Sequence, residues 1–311
     1  MKSATVGPVL LVHGGAGVIR STLTAQVESE VRHDLQRALD AGYAVLAGQG
    51  AALDAVAAAV VVLEDSPHFN AGHGAVFTHE GRNELDASIM DGSTLRAGAV
   101  AGVQHVRNPI LLARAVMERS PHVMLIGEGA EAFARTVGTQ FVEPGYFHTD
   151  ERWNQLQEAI AKEAAGMQAE RDRAIHYGTV GAVALDAHGH LAAATSTGGM
   201  TNKRWGRVGD SSIIGAGTYA DAHCAVSATG WGEYFIRAAV ARDICARVEY
   251  GGQSLAEAAR IVIEETLPRL GGDGGVIAVD AQGCFALPFN TDGMYRGWID
   301  RDGRAHTAVL A

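Results

Sequence analysis

Residues 177–184 read YGTVGAVA, and the fold turns on how Thr179 is read. Before it lies HTDERWNQLQEAIAKEAAGMQAERDRAIHYG (148–178), rich in charge and glutamine. The first half of that stretch suits an amphipathic helix around Trp153, Leu156 and Ile160. The part from about 161 to 178 has little to bury and reads as a mobile linker. After it, TVGAVALDAHGHLAAATST (179–197) spells a hairpin, two strands joined by DAHGH. The chain thus passes from linker to core strand at a hydroxyl residue. One explanation is structural, since threonine is a common strand residue. The other is chemical. A cut between Gly178 and Thr179 would place a hydroxyl nucleophile and a free α-amine on one residue. An α-amine has a reference pKa of roughly 7.7–8.0, close to where a general base works best. Gly178 would leave room for the tetrahedral intermediate of such a cut.

Composition narrows the setting. The chain has 311 residues, 47% hydrophobic and 19% charged, an ordinary globular balance long enough for one substantial core. Its formal net charge of -10 argues against a broad basic nucleic-acid footprint. The N-terminal apolar run reads as a strand rather than a signal peptide. AVAAAVVVL (55–63) is too short to span a bilayer. Cys224, Cys245 and Cys284 are far apart and form no CxxC pair, which argues against a disulfide framework or a zinc site. The expectation is a cytoplasmic, reduced protein with neither membrane nor nucleic acid as partner.

Outward from the hairpin, hydrophobic periodicity supplies the other elements. PVLLVH (8–13) is a buried strand entering a tight loop, HGGAG. Val27, Val31, Leu35, Leu39 and Leu46 recur at near-helical spacing, and ALDAVAAAVVVLED gives a second helix. DASIMDG and AGAVAGV look like paired strands. NPILLARAVMERS is a helix with Pro109 in its first turn, HVMLIG a strand, and EGAEAFARTVG a helix ended by glycine. Beyond the hairpin, AHCAVSATG is a strand. YFIRAAVARDICARVEY and SLAEAARIVIEETLPRL are helices, and GGVIAVDAQGCFALPFNTDGMYRGWID (274–300) closes with strands. Helices clustered between groups of strands predict two sheets facing one another between helical layers.

Several polar residues stand where a site could form. Thr197 ends the hairpin strand and could lie beside Thr179, or could simply satisfy the turn. In GRVGDS (206–211), glycines let a ligand approach the backbone. Arg207 suits a carboxylate and Asp210 an ammonium, the two ends of an α-amino acid; the same pair also suits a loop salt bridge. SATGWGE (227–233) follows a strand and opens a helix, so its N–H groups and the Thr229 hydroxyl could hold an oxyanion, or the turn could be packing alone. HGGAG lacks the lysine and hydroxyl residue of a P-loop.

Together LLVHGGAG (10–17), FNAGHGAVFT (69–78), ELDASIMDG (84–92), AGAVAGVQHVRNPI (97–110), SPHVMLIGEGAE (120–131), GTVGAVALD (178–186), STGGMTNKRWGRVGDS (196–211) and TGWGE (229–233) resemble the plant-type, or type III, L-asparaginases and isoaspartyl peptidases. These are N-terminal nucleophile hydrolases. The likeness runs from about Val9 to about Trp298. It implies one domain with an αββα sandwich, and autocleavage into an α subunit, 1–178, and a β subunit, 179–311. It also implies an (αβ)2 assembly, no organic cofactor, and hydrolysis of β-aspartyl peptides and L-asparagine. By the same resemblance Thr179 is the nucleophile, supported by Thr197. Arg207 holds the substrate α-carboxylate and Asp210 its α-amine. Thr229 and Gly230 form the oxyanion hole, Gly232 lines the pocket, and Asn70 steadies the nucleophile or assists processing. LEDSPHFNAGH (63–73) resembles the family's sodium loop, with backbone carbonyls of Leu63, Glu64, Ser66, Phe69, Ala71 and His73 as ligands.

Trp231 within TGWGE and Trp205 beside Arg207 depart from the pattern, and either ring could shape which dipeptides are accepted. Two related alternatives are a glycosylasparaginase, whose nucleophile motif is expected closer to Asp-Thr-Ile-Gly, and a taspase-like endopeptidase. A non-catalytic small-molecule binding protein would leave the linker-to-strand junction unexplained.

Overall fold

The computed structural model describes residues 7–18, 20–21, 23–165 and 178–310. β1 (Val9–Ala16), α1 (Ala25–Ala47) and α2 (Ala52–Glu64) come first, followed by β2 (Leu85–Asp91), β3 (Ala97–Val103), α3 (Pro109–Arg119), β4 (Met124–Ile126), α4 (Gly127–Val137) and α5 (Asp150–Ala164). The hairpin forms β5 (Val180–Leu185) and β6 (Leu191–Thr197). After it come β7 (Thr218–Ala220), β8 (Cys224–Gly230), α6 (Gly232–Ala238), α7 (Val240–Glu249), α8 (Leu255–Arg260), α9 (Leu267–Leu270), β9 (Gly274–Asp280), β10 (Phe285–Ala286), β11 (Gly293–Ile299) and β12 (Ala305–Leu310). The strands make two sheets, an eight-stranded one ordered β12-β11-β1-β5-β6-β2-β3-β4 and a four-stranded one ordered β10-β9-β8-β7.

Strict alternation along the central strands explains how the layers meet. Leu10 and Val12 of β1 and Ala182 and Ala184 of β5 pack with α1, α2 and α3. The opposite set, Val9, Leu11, Val183 and Leu185, joins Ala225 of β8 and Ile277 and Val279 of β9 in a core drawn from both sheets. A third cluster packs α7 and α8 on the other face of β8 and β9, through Val226, Ala228, Ile244 and Ala258.

Local chemistry accounts for the element ends. Thr24 caps α1 by accepting from the Val27 N–H, and Thr149 caps α5 by accepting from Arg152. Gly138 ends α4 in the left-handed conformation. Four departures from the sequence reading matter. HGGAG is not a loop after β1: the strand continues through Ala16, with its register broken between His13 and Gly15. The single helix expected over 234–250 is two, because Ala239 turns left-handed. The first N–H groups of α7 then reach the carbonyls of Gly215 and Ala216. β12 was not foreseen and pairs antiparallel with β11 at the sheet edge.

The fourth concerns the cysteines, which were expected to be unpaired. Cys224 and Cys245, 21 residues apart, form a disulfide. Their pairing is tertiary: α7 lies on the back of β8 and brings two buried side chains to the same level. Helix α5 also runs to Ala164, into the stretch read as linker. The remainder of that expected linker, 166–177, lies outside the described residues. Among the described residues no helix is long and apolar enough to cross a membrane.

Candidate active site

The hairpin builds the centre of the site. β5 and β6 pair Val180 with Ser196 and Leu185 with Leu191, so the register carried one step further sets Thr179 opposite Thr197. Both belong to the strand phase that faces the second sheet. The Thr179 hydroxyl donates to Thr197 Oγ1 at 3.2 Å, and the Gly199 N–H donates to the same oxygen at 3.0 Å. Thr179 is 7% exposed, so this hydroxyl sits at the edge of the core rather than in open solvent.

Asn70 fixes the turn that carries these groups. Its side-chain N–H donates to the Gly199 carbonyl, its side-chain oxygen accepts from Val76, and its own carbonyl accepts from Gly198. Its Cβ also abuts Gly178, where any side chain would collide with it. A small pocket of about 10 Å³ is lined by Gly178, Thr179, Thr197, Arg207, Asp210 and Gly230. With Gly178 in its wall, it has room for about one water.

Arg207 and Asp210 lie on the loop after β6. Arg207 gives a two-pronged contact to Glu233, with Nε to Oε1 and Nη2 to Oε2 both at 2.9 Å. Burial alone would raise the Glu233 carboxyl, but the bonds and charge of Arg207 bring it below its usual range. Asp210 is buried, and among the described residues its Oδ2 has no hydrogen-bond partner. Burial pushes this carboxyl up to about 7, against the downward pull of Arg207. Gly232 is pressed against both: a Cβ there would stand 2.8 Å from Asp210 Oδ1 and 3.0 Å from Arg207 Nη2.

Thr229 and Gly230 end β8. The Thr229 hydroxyl oxygen accepts from the Ala16 N–H at 3.2 Å, which leaves its proton free to be donated. Gly230 has no room for a side chain, since a Cβ would lie 2.4 Å from the Asp273 carbonyl.

The segment 63–73 is a separate feature. Leu63, Glu64, Ser66, Phe69 and Ala71 are buried, and His73 is half-buried. Carbonyls crowd its turn: a Cβ on Gly72 would stand 2.2 Å from the Glu64 oxygen, and one on Gly74 2.2 Å from that of Phe69. The Glu64 side chain has its own task, accepting from Ser196 Oγ at 2.6 Å and from the Ile110 N–H in the first turn of α3. Burial pushes that carboxyl up to about 8.

Sequence reasoning missed three contacts. His13 bonds the carbonyl of Thr179, Ser227 bonds His13, and Glu233 holds Arg207. Strand alternation carried a signal for the first two, because His13 continues the phase of Val9 and Leu11, and Ser227 that of Ala225.

The sequence that builds this site has relatives. The asparaginase family matches residues 6–309. The isoaspartyl peptidase of Escherichia coli (strain K12) is 56% identical over 295 residues, spanning 93% of this chain and 92% of its own. The probable isoaspartyl peptidase/L-asparaginase 2 of Arabidopsis thaliana is 43% identical over 326 residues, spanning 97% and 99%. The isoaspartyl peptidase/L-asparaginase of Homo sapiens is 41% identical over 306 residues, spanning 98% and 96%. On this evidence the chain belongs to the asparaginase family, together with relatives named isoaspartyl peptidase and L-asparaginase.

Proposed function

We propose that this protein is an autoprocessing isoaspartyl peptidase with L-asparaginase activity, acting through Thr179 as an N-terminal nucleophile. One observation carries the reading. The Thr179 hydroxyl, 3.2 Å from that of Thr197, shares a pocket with an arginine and with a buried carboxylate oxygen that lacks a hydrogen-bond partner among the described residues. An α-amino acid unit supplies an ammonium for Asp210 and a second carboxylate for Arg207, whose Nε and Nη2 already hold Glu233. Fixing both leaves only the side-chain β-carbonyl to face Thr179.

Processing comes first. Thr179 Oγ attacks the Gly178 carbonyl carbon, and the peptide bond gives way to an ester with a free α-amine. Water then hydrolyses the ester. Gly178 leaves the pocket wall, which makes room for substrate where only a water fitted before. In turnover, the Thr179 amine takes the hydroxyl proton and Oγ attacks the β-carbonyl. The Thr229 hydroxyl and the Gly230 N–H receive the oxyanion, each such donor being worth roughly 2.7–4 kcal/mol. The amine leaves with a proton, and water cleaves the β-aspartyl ester. An isopeptide bond and an asparagine amide share the site because both are β-acyl amides.

The same reading includes a four-layer αββα sandwich, supported by the core drawn from both sheets. It includes an (αβ)2 assembly in the cytoplasm. A sodium ion held by carbonyls of Leu63, Glu64, Ser66, Phe69, Ala71 and His73 belongs to it as well. An all-oxygen donor set suits a hard cation, and the crowded carbonyls at Gly72 and Gly74 fit one. The ion would stiffen the loop that carries Asn70.

Intact masses under denaturing conditions test the proposal. Wild-type protein should give two fragments that meet at Gly178 and Thr179, together heavier than the chain by one water. Thr179→Ala should give one mass and no β-aspartyl hydrolysis. An active, uncleaved Thr179→Ala enzyme would end this reading.

A further inference from the structure

Behind Thr179 lies a buried chain of polar side chains that the chemistry above does not use. His13 is fully buried in β1, with Nδ1 2.9 Å from the Thr179 carbonyl oxygen and Nε2 2.9 Å from Ser227 Oγ. Ser227 lies 2.7 Å from Thr195, and Thr218 donates to Thr195. Ser88 is 2.8 Å from Thr218. The chain thus crosses from β1, β2 and β6 in one sheet to β7 and β8 in the other.

Its proton order follows from one end, although the carbonyls of Ala194, Gly217 and Ser211 lie 3.1, 3.2 and 3.3 Å from Ser227, Thr195 and Thr218 as competing acceptors. A carbonyl only accepts, so Nδ1 must carry the hydrogen. Burial lowers the imidazole to about 3, so the ring is neutral at working pH and Nε2 is a bare acceptor. Ser227 therefore bonds Nε2 as the donor, at the shorter of its two acceptor distances, 2.9 Å against 3.1 Å to the Ala194 carbonyl. With the single Ser227 proton used there, Thr195 donates to Ser227 at 2.7 Å in preference to the Gly217 carbonyl at 3.2 Å, and Thr218 donates to Thr195. Each donor points toward Thr179, and chained hydrogen bonds of one sense strengthen one another.

The sequence carries the imprint of this chain. A Cβ on Gly181 would stand 2.0 Å from Ser227 Oγ and 2.4 Å from His13 Nε2. The second glycine of GTVG leaves the space in which His13 and Ser227 meet.

We propose that His13, polarised by Ser227 and Thr195, is a positioning residue for the nucleophile. The proposal rests on Thr179 acting as an N-terminal nucleophile. Once the bond to Gly178 is cut, the only covalent link from Thr179 to the fold is through its own carbonyl carbon. The torsion between that carbonyl and Cα then sets where the amine and Cβ point. A donor anchored in the core and bonded to the carbonyl oxygen fixes the plane from which that torsion is measured. The effect falls on the geometry of attack and leaves the substrate clamp of Arg207 and Asp210 untouched.

The test compares His13→Asn with His13→Leu on a β-aspartyl dipeptide. Asparagine places an amide N–H near the position of Nδ1, whereas leucine fills similar space without a donor. His13→Leu should lose about 10²-fold in kcat, the scale of a 1 Å misplacement of reacting groups, with KM within threefold of wild type. His13→Asn should recover most of that loss. Slowed autocleavage in His13→Leu and not in His13→Asn supports the proposal equally, because processing uses the same oxygen. Equal losses in both variants, or a His13→Leu kcat within threefold of wild type, would overturn it. If neither folds, Ser227→Ala decides: a lower kcat at constant KM supports the chain, and an unchanged kcat overturns it. Thr179→Ala run alongside separates the two ideas, since activity there sinks the nucleophile itself, while its loss beside a fully active His13→Leu sinks only the positioning role.

Discussion

Replacing Asp210 by asparagine should expose both the use and the cost of that carboxylate. Its Oδ2 is buried without a hydrogen-bond partner among the described residues, and burial pushes the group up to about 7. If a substrate ammonium completes it, losing the charge removes one member of a buried ion pair, worth roughly 2–5 kcal/mol. At about 1.4 kcal/mol per factor of ten, kcat/KM should fall between about 30-fold and several thousandfold. The assay pairs β-aspartyl-leucine with its desamino analogue, succinyl-leucine, on both enzymes. Wild type should discriminate strongly between them, and Asp210→Asn hardly at all. Below pH 7 the wild-type kcat/KM should fall about tenfold per pH unit more steeply than that of Asp210→Asn, which keeps only the limb set by the Thr179 amine. Stability should move the other way. The native carboxyl binds its proton more tightly than the unfolded one, whose pKa is roughly 3.9. The stability it contributes is therefore present below about pH 4 and lost as pH rises to 7. Three pKa units at 1.36 kcal/mol each give an upper limit of about 4 kcal/mol. Asp210→Asn should thus melt several degrees higher at pH 8. Equal losses on both substrates, with no gain in Tm, would refute the reasoning.

Three further outcomes follow from the structure. Thiol titration of the unfolded, unreduced protein should find one free cysteine, Cys284, because Cys224 and Cys245 are paired; three thiols would contradict the pairing. Trp205 is 95% exposed on a left-handed backbone, so Trp205→Gly gives up no packing and relieves about 1 kcal/mol of strain. Its Tm should hold or rise, while kcat/KM for a dipeptide with an aromatic leaving residue should fall relative to L-asparagine; an unchanged ratio would exclude the ring from specificity. Replacing sodium by choline at constant ionic strength should lower Tm if an ion ties the 63–73 loop, and an unchanged Tm would remove the ion from the proposal.

The sequence by itself carried the hairpin and, with it, the pairing of Thr179 and Thr197. Alternation and a short turn set a register within one local unit, and no distant contact is needed to read it. The amphipathic helices α1, α3 and α5 and the paired strands β2 and β3 were legible for the same reason. Local pattern could not say which residues of separate strands would meet. The bulge that lets β1 run through HGGAG, and the left-handed Ala239 that splits α6 from α7, are imposed by partners far along the chain. So are the bond from His13 to Thr179 across 166 residues, the grip of Glu233 on Arg207, and the Cys224–Cys245 link. Each depends on how the two sheets and their helices stack. Stacking is driven by burial of apolar area, which is non-directional, so its polar by-products are decided only when the layers close.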